Sequence, residues 1–397
     1  MIRKPLIYSS IILLSGLLIV ACTKEESELS NNTIDPYADV KSVFKGKIDL
    51  ENLANYANQS IPTYITRDNT NTNPISDKAA TLGRVLFYDK KLSVNNQISC
   101  ASCHKQSLAF GDSAQASVGV NGSTGRHSMR LVNARFSTEP KFFWNERAAT
   151  LEAQTTQPIQ DHAEMGYSGQ NGDPSISDLI TKLKAIGYYQ ELFKFVFGDD
   201  DITENRLQIA LSQFVRSIQS FDSKYDLGRA QVANDGQPFP NFTNQENMGK
   251  NMFLAPPQFD ANGNRIAGGL GCGGCHRPPE FDIDPNSLNN GVIGTISGTG
   301  TDLTVTRSPT LRDIVKADGT SNGPFMHIGV SNDLITVINH YNQISLAGNN
   351  NLDPRLRPGG NPQNLQLMNG QKDAIVAFLR TLAGSNVYVD TKWSDPF

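Results

Sequence analysis

The stretch Cys100-Ala-Ser-Cys103-His104 determines how the rest of the chain is interpreted. Two thiols separated by two residues and followed at once by a histidine are typical of a c-type haem attachment site. The thiols add to the two vinyl groups on one porphyrin edge, and the adjacent imidazole then reaches the iron from the proximal side. A Cys-x-x-Cys pair alone also suits a redox dithiol or half of a zinc site, but the histidine that follows argues against both.

A second copy of this motif, Cys272-Gly-Gly-Cys275-His276, supports the haem interpretation, because chance does not readily produce the pattern twice in one chain. The predicted cofactors are therefore two covalently bound c-type haems. Their attachment cysteines and proximal iron ligands are Cys100, Cys103, His104, Cys272, Cys275 and His276.

Residues 1–21 have the pattern of an export signal. Arg3 and Lys4 precede an apolar core, and the core ends in Ile19-Val20-Ala21-Cys22, which resembles the end of a bacterial lipoprotein signal. The alternatives are an ordinary cleaved signal and an uncleaved anchor. We expect an exported lipoprotein, periplasmic or anchored to the outer membrane, that is attached to the membrane through a lipid on Cys22.

Composition narrows the function further. The chain has five cysteines, and one lipid plus two haems use all of them, so no thiol remains for a structural disulfide. The net charge of −4 excludes a strongly basic nucleic-acid binder, and no nucleic-acid partner is expected.

Apolar periodicity predicts a mainly helical chain. Apolar residues share one helical face over Asn205–Phe221, over Asp333–Tyr341 with Ser331 or Asn332 as the cap, and over Ile375–Leu382 before Gly384. No segment shows sustained strand alternation. We divide the chain into a signal (1–21), a tether and extended arm (22–76), a first haem domain (77–240) and a second (241–397).

With both haem motifs placed, the chain resembles the bacterial dihaem cytochrome c peroxidase family, which includes the MauG-like enzymes that oxidise protein tryptophans. The resemblance runs from about Leu82 to the C-terminus. It is carried by Leu82-Gly-Arg-Val-Leu-Phe87, Phe143-Trp144-Asn-Glu-Arg147, Glu164-Met-Gly166, Ser308-Pro-Thr-Leu-Arg312 and Pro324-Phe-Met-His327. It implies two mainly helical, cytochrome c-like domains with little β-structure. It also implies that the N-terminal haem meets peroxide, while the C-terminal haem passes electrons and faces the donor.

The resemblance also assigns three residues to the reaction. Glu164 matches the family's glutamate, and peroxide cleavage needs a group that takes a proton from one oxygen and returns it to the other. Trp144 matches a tryptophan between the haems, and Gln154 matches a glutamine near the distal pocket. The alternatives are a solvated glutamate for Glu164 and a core aromatic for Trp144. His162 lies two residues from Glu164 and either supports it or sits at the surface.

The second iron is expected to be closed by Tyr341. The family's ligand lies fourteen residues after the histidine matched by His327, which leads to Tyr341. The peroxidases commonly have methionine there, whereas the MauG-like members have tyrosine. Met326 precedes His327 and is a poor substitute. The alternative is that Tyr341 only completes an apolar helix face.

The first iron is expected to be open. Many family members carry a histidine in the loop after the first haem that blocks this iron, but residues 118–124 contain none. His127 is the nearest candidate for a substitute ligand.

Arg84, Arg147 and Arg312 are candidate partners for the haem propionates. A calcium ion between the domains is usual in the family, so calcium is a possible further cofactor here. The position of a family asparagine ligand holds His127, and histidine is a poor ligand for this hard cation, while the Pro324 carbonyl position is retained.

These observations predict a dihaem peroxidase that reduces hydrogen peroxide to water with electrons from a small redox protein, either a cytochrome c or a cupredoxin. The first alternative is a MauG-like oxidase that uses peroxide to modify a protein side chain. The second is an electron-transfer dihaem cytochrome without peroxide chemistry.

The duplicated motif predicts two haems per chain, because each pair of thiols attaches one porphyrin. A haemochrome assay on protein purified from a host with working haem attachment should count two. A count of one or none would contradict the prediction.

Overall fold

Helices dominate the regular structure, and the mainly helical prediction is confirmed. The computed structural model describes Met1 and residues 35–138, 141–282, 285–346 and 348–397. The α-helices are α1 (Ala38–Phe44), α2 (Asp77–Tyr88), α3 (Cys100–Cys103), α4 (Leu151–Thr155), α5 (Ile176–Lys184), α6 (Gly187–Phe197), α7 (Glu204–Ser217), α8 (Lys224–Arg229), α9 (Asn244–Leu254), α10 (Leu334–Asn342) and α11 (Asn369–Arg380).

Short 3₁₀ turns and one small hairpin complete the regular structure. The 3₁₀ turns are Lys90–Leu92, Gln106–Leu108, Ala134–Phe136, Cys272–Gly274, Pro354–Leu356, Pro358–Gly360, Asn386–Tyr388 and Thr391–Trp393. The strands β1 (Pro257–Phe259) and β2 (Arg265–Gly268) pair antiparallel, with Pro257 opposite Gly268. They form the one sheet in the part of the chain that the structure describes.

The N-terminal signal and Cys22 lie outside the described residues. Within the described ranges, no helix is both long and apolar enough to cross a membrane. The prediction of an extended arm up to residue 76 is wrong in its first part, because residues 38–44 form α1. Val40 and Phe44 are four residues apart and share one face, and Phe44 packs its ring edge-on against Tyr188 of α6.

The periodic segments form helices whose ends differ from those predicted. Helix α7 begins after its cap Thr203 and ends at Ser217, four residues before Phe221. Helix α10 is capped by Asp333, whose carboxylate accepts from Ile335 N and Thr336 N, rather than by Ser331 or Asn332. A carboxylate accepts two backbone N–H bonds at a helix start, which explains why Asp333 takes this place.

One helix crossing is built twice. In the first half, Gly83 of α2 meets α7 so closely that a Cβ would lie 2.0 Å from the Ala210 carbonyl oxygen. In the second half, Gly249 of α9 meets α11, where a Cβ would lie 1.9 Å from the Ala374 carbonyl oxygen. No larger residue fits at either crossing without displacing backbone.

A pair of phenylalanines at equivalent positions follows each crossing. Phe87 and Phe214 lie four residues after Gly83 and Ala210, and their ring centroids are 5.1 Å apart. Phe253 and Phe378 hold the corresponding positions after Gly249 and Ala374, with centroids 5.2 Å apart. Side chains at positions i and i+4 lie on one helix face. The close glycine contact and the phenylalanine pair therefore lie side by side at the same helix interface in each half.

Residues 37–397 form one compact unit that contains two hydrophobic clusters. The first cluster is drawn from residues 40–218 together with Val387 and Trp393, and the second from residues 225–382. The C-terminal segment thus returns to the first cluster, where Tyr88 Oη donates to the Trp393 carbonyl oxygen (2.6 Å). The first motif is packed against the first cluster and the second motif against the second.

The close crossing predicts that Gly83→Ala destabilises the protein, because a methyl group would push α7 away from α2. The expected loss is about 1–3 kcal/mol of the free energy of unfolding. Gly370→Ala is a matched control inside a helix, since nothing lies within 4 Å of its Cβ position; alanine should stabilise the helix there by up to about 1 kcal/mol. Thermal unfolding of the haem-loaded variants measures both effects, and an unchanged midpoint for Gly83→Ala would refute this packing argument.

Candidate haem sites

Each attachment motif lies on a tight turn that brings its cysteines and histidine together. Cys100 and Cys103 occupy α3, and His104 follows, its N–H donating to the Cys100 carbonyl oxygen (2.9 Å). In the second motif, His276 N donates to the Cys272 carbonyl oxygen at 2.9 Å. The two motifs therefore have the same hydrogen-bonded turn, although their sequences share only the cysteines and the histidine.

Both motif histidines are held in the orientation that iron ligation needs. His104 Nδ1 lies 3.0 Å from the Phe110 carbonyl oxygen, and His276 Nδ1 lies 3.1 Å from the Pro309 carbonyl oxygen. A carbonyl oxygen only accepts, so Nδ1 carries the hydrogen in each ring and the lone pair is on Nε2. Metal-bound histidines are usually fixed in this way. The donor sets thus fit two haem irons.

The two motifs line cavities of different size. Cys272, Cys275 and His276 line a cavity of about 610 Å³, within the roughly 300–1,000 Å³ of ligand pockets. Cys100, Cys103 and His104 line one of about 80 Å³. The donor set of Cys100, Cys103 and His104 fits a haem, and apolar side chains close around these residues. These side chains include Phe87, Leu131, Met165 and Leu211.

The small cavity brings Glu164 and Gln154 to the first motif, as the sequence predicted. Gln154 lies on α4, and Glu164 lies in the loop before Gly166. The Glu164 carboxyl is half-buried and makes no hydrogen bond among the residues that the structure describes. Burial, followed by the charge of Asp161, raises the pKa of Glu164 from 4.5 to about 7, while Arg147 opposes the shift. A carboxyl of this kind both donates and accepts protons near neutral pH.

The backbone around Glu164 is fixed by two neighbouring segments. Its N–H donates to Asp161 Oδ1 (3.0 Å), and its carbonyl oxygen accepts from Val120 N (3.0 Å). Gly119 in the same loop comes so close that a Cβ would lie 2.0 Å from the Ala163 carbonyl oxygen. The loop without a histidine therefore packs directly on the Glu164 segment.

Neither neighbouring histidine enters the small cavity. His162 is exposed at the surface, where its Nδ1 lies 2.7 Å from Asp173 Oδ2. His127 lines the large cavity instead, and its Nδ1 donates to the Ala114 carbonyl oxygen (2.9 Å). Burial lowers the pKa of His127 to about 4, so this ring is neutral. The position of His127 does not support its role as a substitute ligand at the first site.

Trp144 lies beside the wall that separates the two cavities. Ser128 lines both cavities, and Trp144 lines the large one, where its Nε1 donates to the His127 carbonyl oxygen (2.6 Å). The ring centroids of Trp144 and His327 are 6.2 Å apart. The tryptophan is thus a packed aromatic residue that lines the large cavity, and its role between the haems stays a prediction.

Tyr341 lines the large cavity together with the second motif. Burial raises its pKa above the usual value of a phenol, so the hydroxyl is neutral unless a metal binds it. Its oxygen accepts from Asn290 Nδ2 (3.4 Å), which also lies 3.5 Å from Met326 Sδ. Asn290 Oδ1 accepts from Val292 N (3.1 Å), and this bond fixes which end of the amide faces Tyr341.

Asn290 was missed by the sequence analysis. It follows the second motif by fourteen residues and has no spacing that marks it as a partner of Tyr341. Its backbone is held by His340, whose Nε2 donates to the Asn290 carbonyl oxygen (2.9 Å). The Asn-Asn-Gly run at residues 289–291 is typical of a loop, but nothing in it indicates a contact with Tyr341.

The arginines selected as propionate partners do not line either cavity. Arg84 donates to the Ser394 carbonyl oxygen (2.7 Å), Arg147 lies over the Phe143 ring at 3.4 Å, and Arg312 is buried in a bidentate pair with Asp226. The sequence does not reveal that these cations already serve packing. The arginines that do line the large cavity are Arg130, Arg307 and Arg355.

The described residues contain no group of three or more His, Cys, Asp or Glu side chains that could hold a further metal ion. The calcium site implied by the resemblance is of another kind, since it uses backbone carbonyls. The Pro324 carbonyl and His127 both belong to residues that line the large cavity. Calcium binding stays a prediction.

Comparison with known proteins finds relatives that are di-haem peroxidases or MauG proteins. A model of the di-haem cytochrome c peroxidase family matches residues 77–232. The methylamine utilization protein MauG of Methylophilus methylotrophus is 27% identical over 321 residues, covering 79% of this chain and 84% of that protein. The cytochrome c551 peroxidase of Nitrosomonas europaea is 27% identical over 324 residues, covering 78% of this chain and 81% of that protein.

A solved structure gives the same result for the fold. A MauG-like protein associated with microbial copper homeostasis superposes with a TM-score of 0.65 at 26% identity, covering 85% of this chain and 99% of that one. Two haem-type donor sets, each with its histidine fixed by a carbonyl, agree with these matches. Residues 77–232 match the di-haem cytochrome c peroxidase family, and the similarity to the relatives and to the solved structure extends over 78–85% of the chain.

Proposed function

We propose that this protein reduces hydrogen peroxide to water at its first haem, with electrons from a small redox protein such as a cytochrome c or a cupredoxin. The observation that carries the proposal is the Glu164 carboxyl, half-buried without a hydrogen-bond partner among the described residues, in the cavity that holds Cys100, Cys103 and His104. Relatives named cytochrome c551 peroxidase support the same reaction.

Glu164 would act as the proton carrier of the reaction. The bound haem supplies the iron that binds peroxide and the electrons that reduce it. Cleavage then requires a group that removes a proton from one peroxide oxygen and delivers it to the other, and a carboxyl with a pKa near 7 suits both steps. Gln154 lines the same cavity, and its amide would orient the peroxide.

Electrons would pass from the second haem to the first site by way of Trp144. The second haem would be attached at Cys272 and Cys275 in the large cavity, which Trp144 also lines. The hydrogen bond from Trp144 Nε1 to the His127 carbonyl oxygen fixes the ring beside the segment that separates the cavities. We infer two cytochrome c-like domains, residues 77–240 and 241–397, from the helix crossing and phenylalanine pair that each contains.

Tyr341 favours a second candidate function, the peroxide-dependent oxidation of a protein side chain. Its hydroxyl lies in the cavity of the second motif, where Asn290 Nδ2 donates to the oxygen. A phenolate ligand stabilises ferric over ferrous iron, so a haem with this ligand has a low potential and helps to store a second oxidising equivalent. The MauG proteins among the relatives agree with this candidate.

The N-terminal sequence supports a proposal for the cellular location of the protein. The sequence Ile19-Val20-Ala21-Cys22 after an apolar core supports export and a lipid on Cys22. Covalent haem attachment also requires export. We propose an exported lipoprotein, periplasmic or anchored to the outer membrane, with the polar residues after Cys22 as a tether to the membrane.

Replacement of Glu164 tests the proposed reaction. Glu164→Gln keeps the size of the side chain and removes its exchangeable proton, so peroxide turnover with a reduced donor should fall by roughly 10²–10⁴-fold while both haems stay attached. His162→Gln is the matched control, because this neighbour lies at the surface and pairs with Asp173. It should leave turnover unchanged.

Near-normal turnover in Glu164→Gln would show that Glu164 is a solvated glutamate without a role in the reaction. Equal losses in both variants would indicate damage to the loop rather than loss of a proton carrier.

A further inference from the structure

Two buried tyrosines share one carboxylate oxygen in the first half of the protein. Tyr188 Oη and Tyr189 Oη donate to the same atom, Asp89 Oδ2, at 2.6 and 2.8 Å. The two rings are tilted by 42° relative to each other, with centroids 4.7 Å apart. Asp89 is only 3% exposed, so both phenols have a buried carboxylate as their proton acceptor.

The pair belongs to the hydrophobic cluster against which the first haem motif is packed. Tyr189 is fully buried in the first hydrophobic cluster, against which Cys100 is packed. Asp89 directly follows α2, and Phe87 of that helix lines the small cavity.

We propose that Tyr189, with Asp89 as its proton acceptor, is a redox site that takes up an oxidising equivalent from the first haem when no electron donor is bound. The proposal rests on the proposed peroxide reaction, which supplies the oxidant. One electron leaves the Tyr189 ring for the oxidising equivalent that peroxide leaves at the first haem. The phenolic proton moves along the 2.8 Å hydrogen bond to Asp89 Oδ2.

The products are a neutral tyrosyl radical and a neutral Asp89 carboxyl, so charge and atoms balance. The buried site tolerates this step because no net charge is created when electron and proton leave the phenol together. An electron from the donor and the proton from Asp89 later restore the tyrosine. The site would protect the first haem and its surroundings from excess peroxide.

The surroundings place the radical on Tyr189 rather than on Tyr188. Lys91 Nζ donates to Tyr188 Oη (3.1 Å), and a cation at this distance makes loss of an electron from Tyr188 less favourable. Tyr188 also packs near the C-terminal Phe397, with ring centroids 6.4 Å apart. It therefore holds Asp89 in position and lies on the outer side of the pair.

The test is an electron paramagnetic resonance spectrum of the haem-loaded protein, frozen after one equivalent of peroxide without a donor. The wild type should show a tyrosyl signal whose hyperfine pattern narrows when the protein is made with ring-deuterated tyrosine. Tyr189→Phe should lose the signal at least several-fold. Tyr188→Phe should retain it, because Asp89 still accepts from Tyr189.

Tyr225→Phe is the matched control. Tyr225 is also fully buried and also donates to a carboxylate, that of Asp235, but it belongs to the second cluster. Its loss should leave the signal unchanged. A signal that persists in Tyr189→Phe would overturn the assignment. A wild-type signal whose hyperfine pattern does not change with tyrosine deuteration would also overturn it.

The optical spectrum of the same samples separates this inference from the proposed function. If peroxide changes the haem spectrum and no tyrosyl signal forms, the redox role of Tyr189 is wrong and the peroxide reaction stands. If peroxide leaves the haem spectrum unchanged, the proposed function fails, and the inference fails with it. The labelled wild type needs no substitution, so the test holds even if Tyr189→Phe does not fold.

Discussion

The helix crossing that only glycine permits determines the geometry of both halves. At Gly83 and Gly249, helices approach until a Cβ would overlap a carbonyl of the partner helix. This contact sets the register of the helices, and the register places Phe87 against Phe214 and Phe253 against Phe378. Phe87 then lines the cavity of the first motif and Phe253 that of the second. The two attachment sites thus depend on one packing constraint that is used twice.

The differences between the two sites come from the loops, not from the repeated helices. In the first half, the loop with Gly119 packs on the Glu164 backbone and turns a carboxyl toward the motif. In the second half, α10 directs Tyr341 into the cavity, and Asn290 contacts its oxygen. One cavity is therefore lined by the carboxyl proposed as the proton carrier and the other by the phenol proposed as an iron ligand. In the proposed function, this asymmetry separates peroxide cleavage at the first site from electron transfer at the second.

Local sequence patterns predicted the two motifs and the helices α7, α10 and α11. The features that they missed depend on contacts between residues far apart in the sequence. The two motifs, the helices and the positions of Glu164 and Tyr341 follow from spacing and resemblance. The propionate role of the selected arginines stays a prediction, but Arg312 pairs with Asp226, 86 residues away, and Arg84 donates to the Ser394 carbonyl. Asn290 was missed because its contact with Tyr341 joins residues 51 positions apart. Tertiary hydrogen bonds of this kind leave no periodicity in a sequence.

In the proposed function, one iron is open beside Glu164 and the other is closed by Tyr341. The most direct measurement is a low-temperature electron paramagnetic resonance spectrum of the ferric, haem-loaded protein at neutral pH, compared with that of Tyr341→Phe. The account predicts one high-spin and one low-spin haem, with only the low-spin signal altered by the substitution. An entirely low-spin spectrum, or a low-spin signal that Tyr341→Phe leaves unchanged, would contradict it.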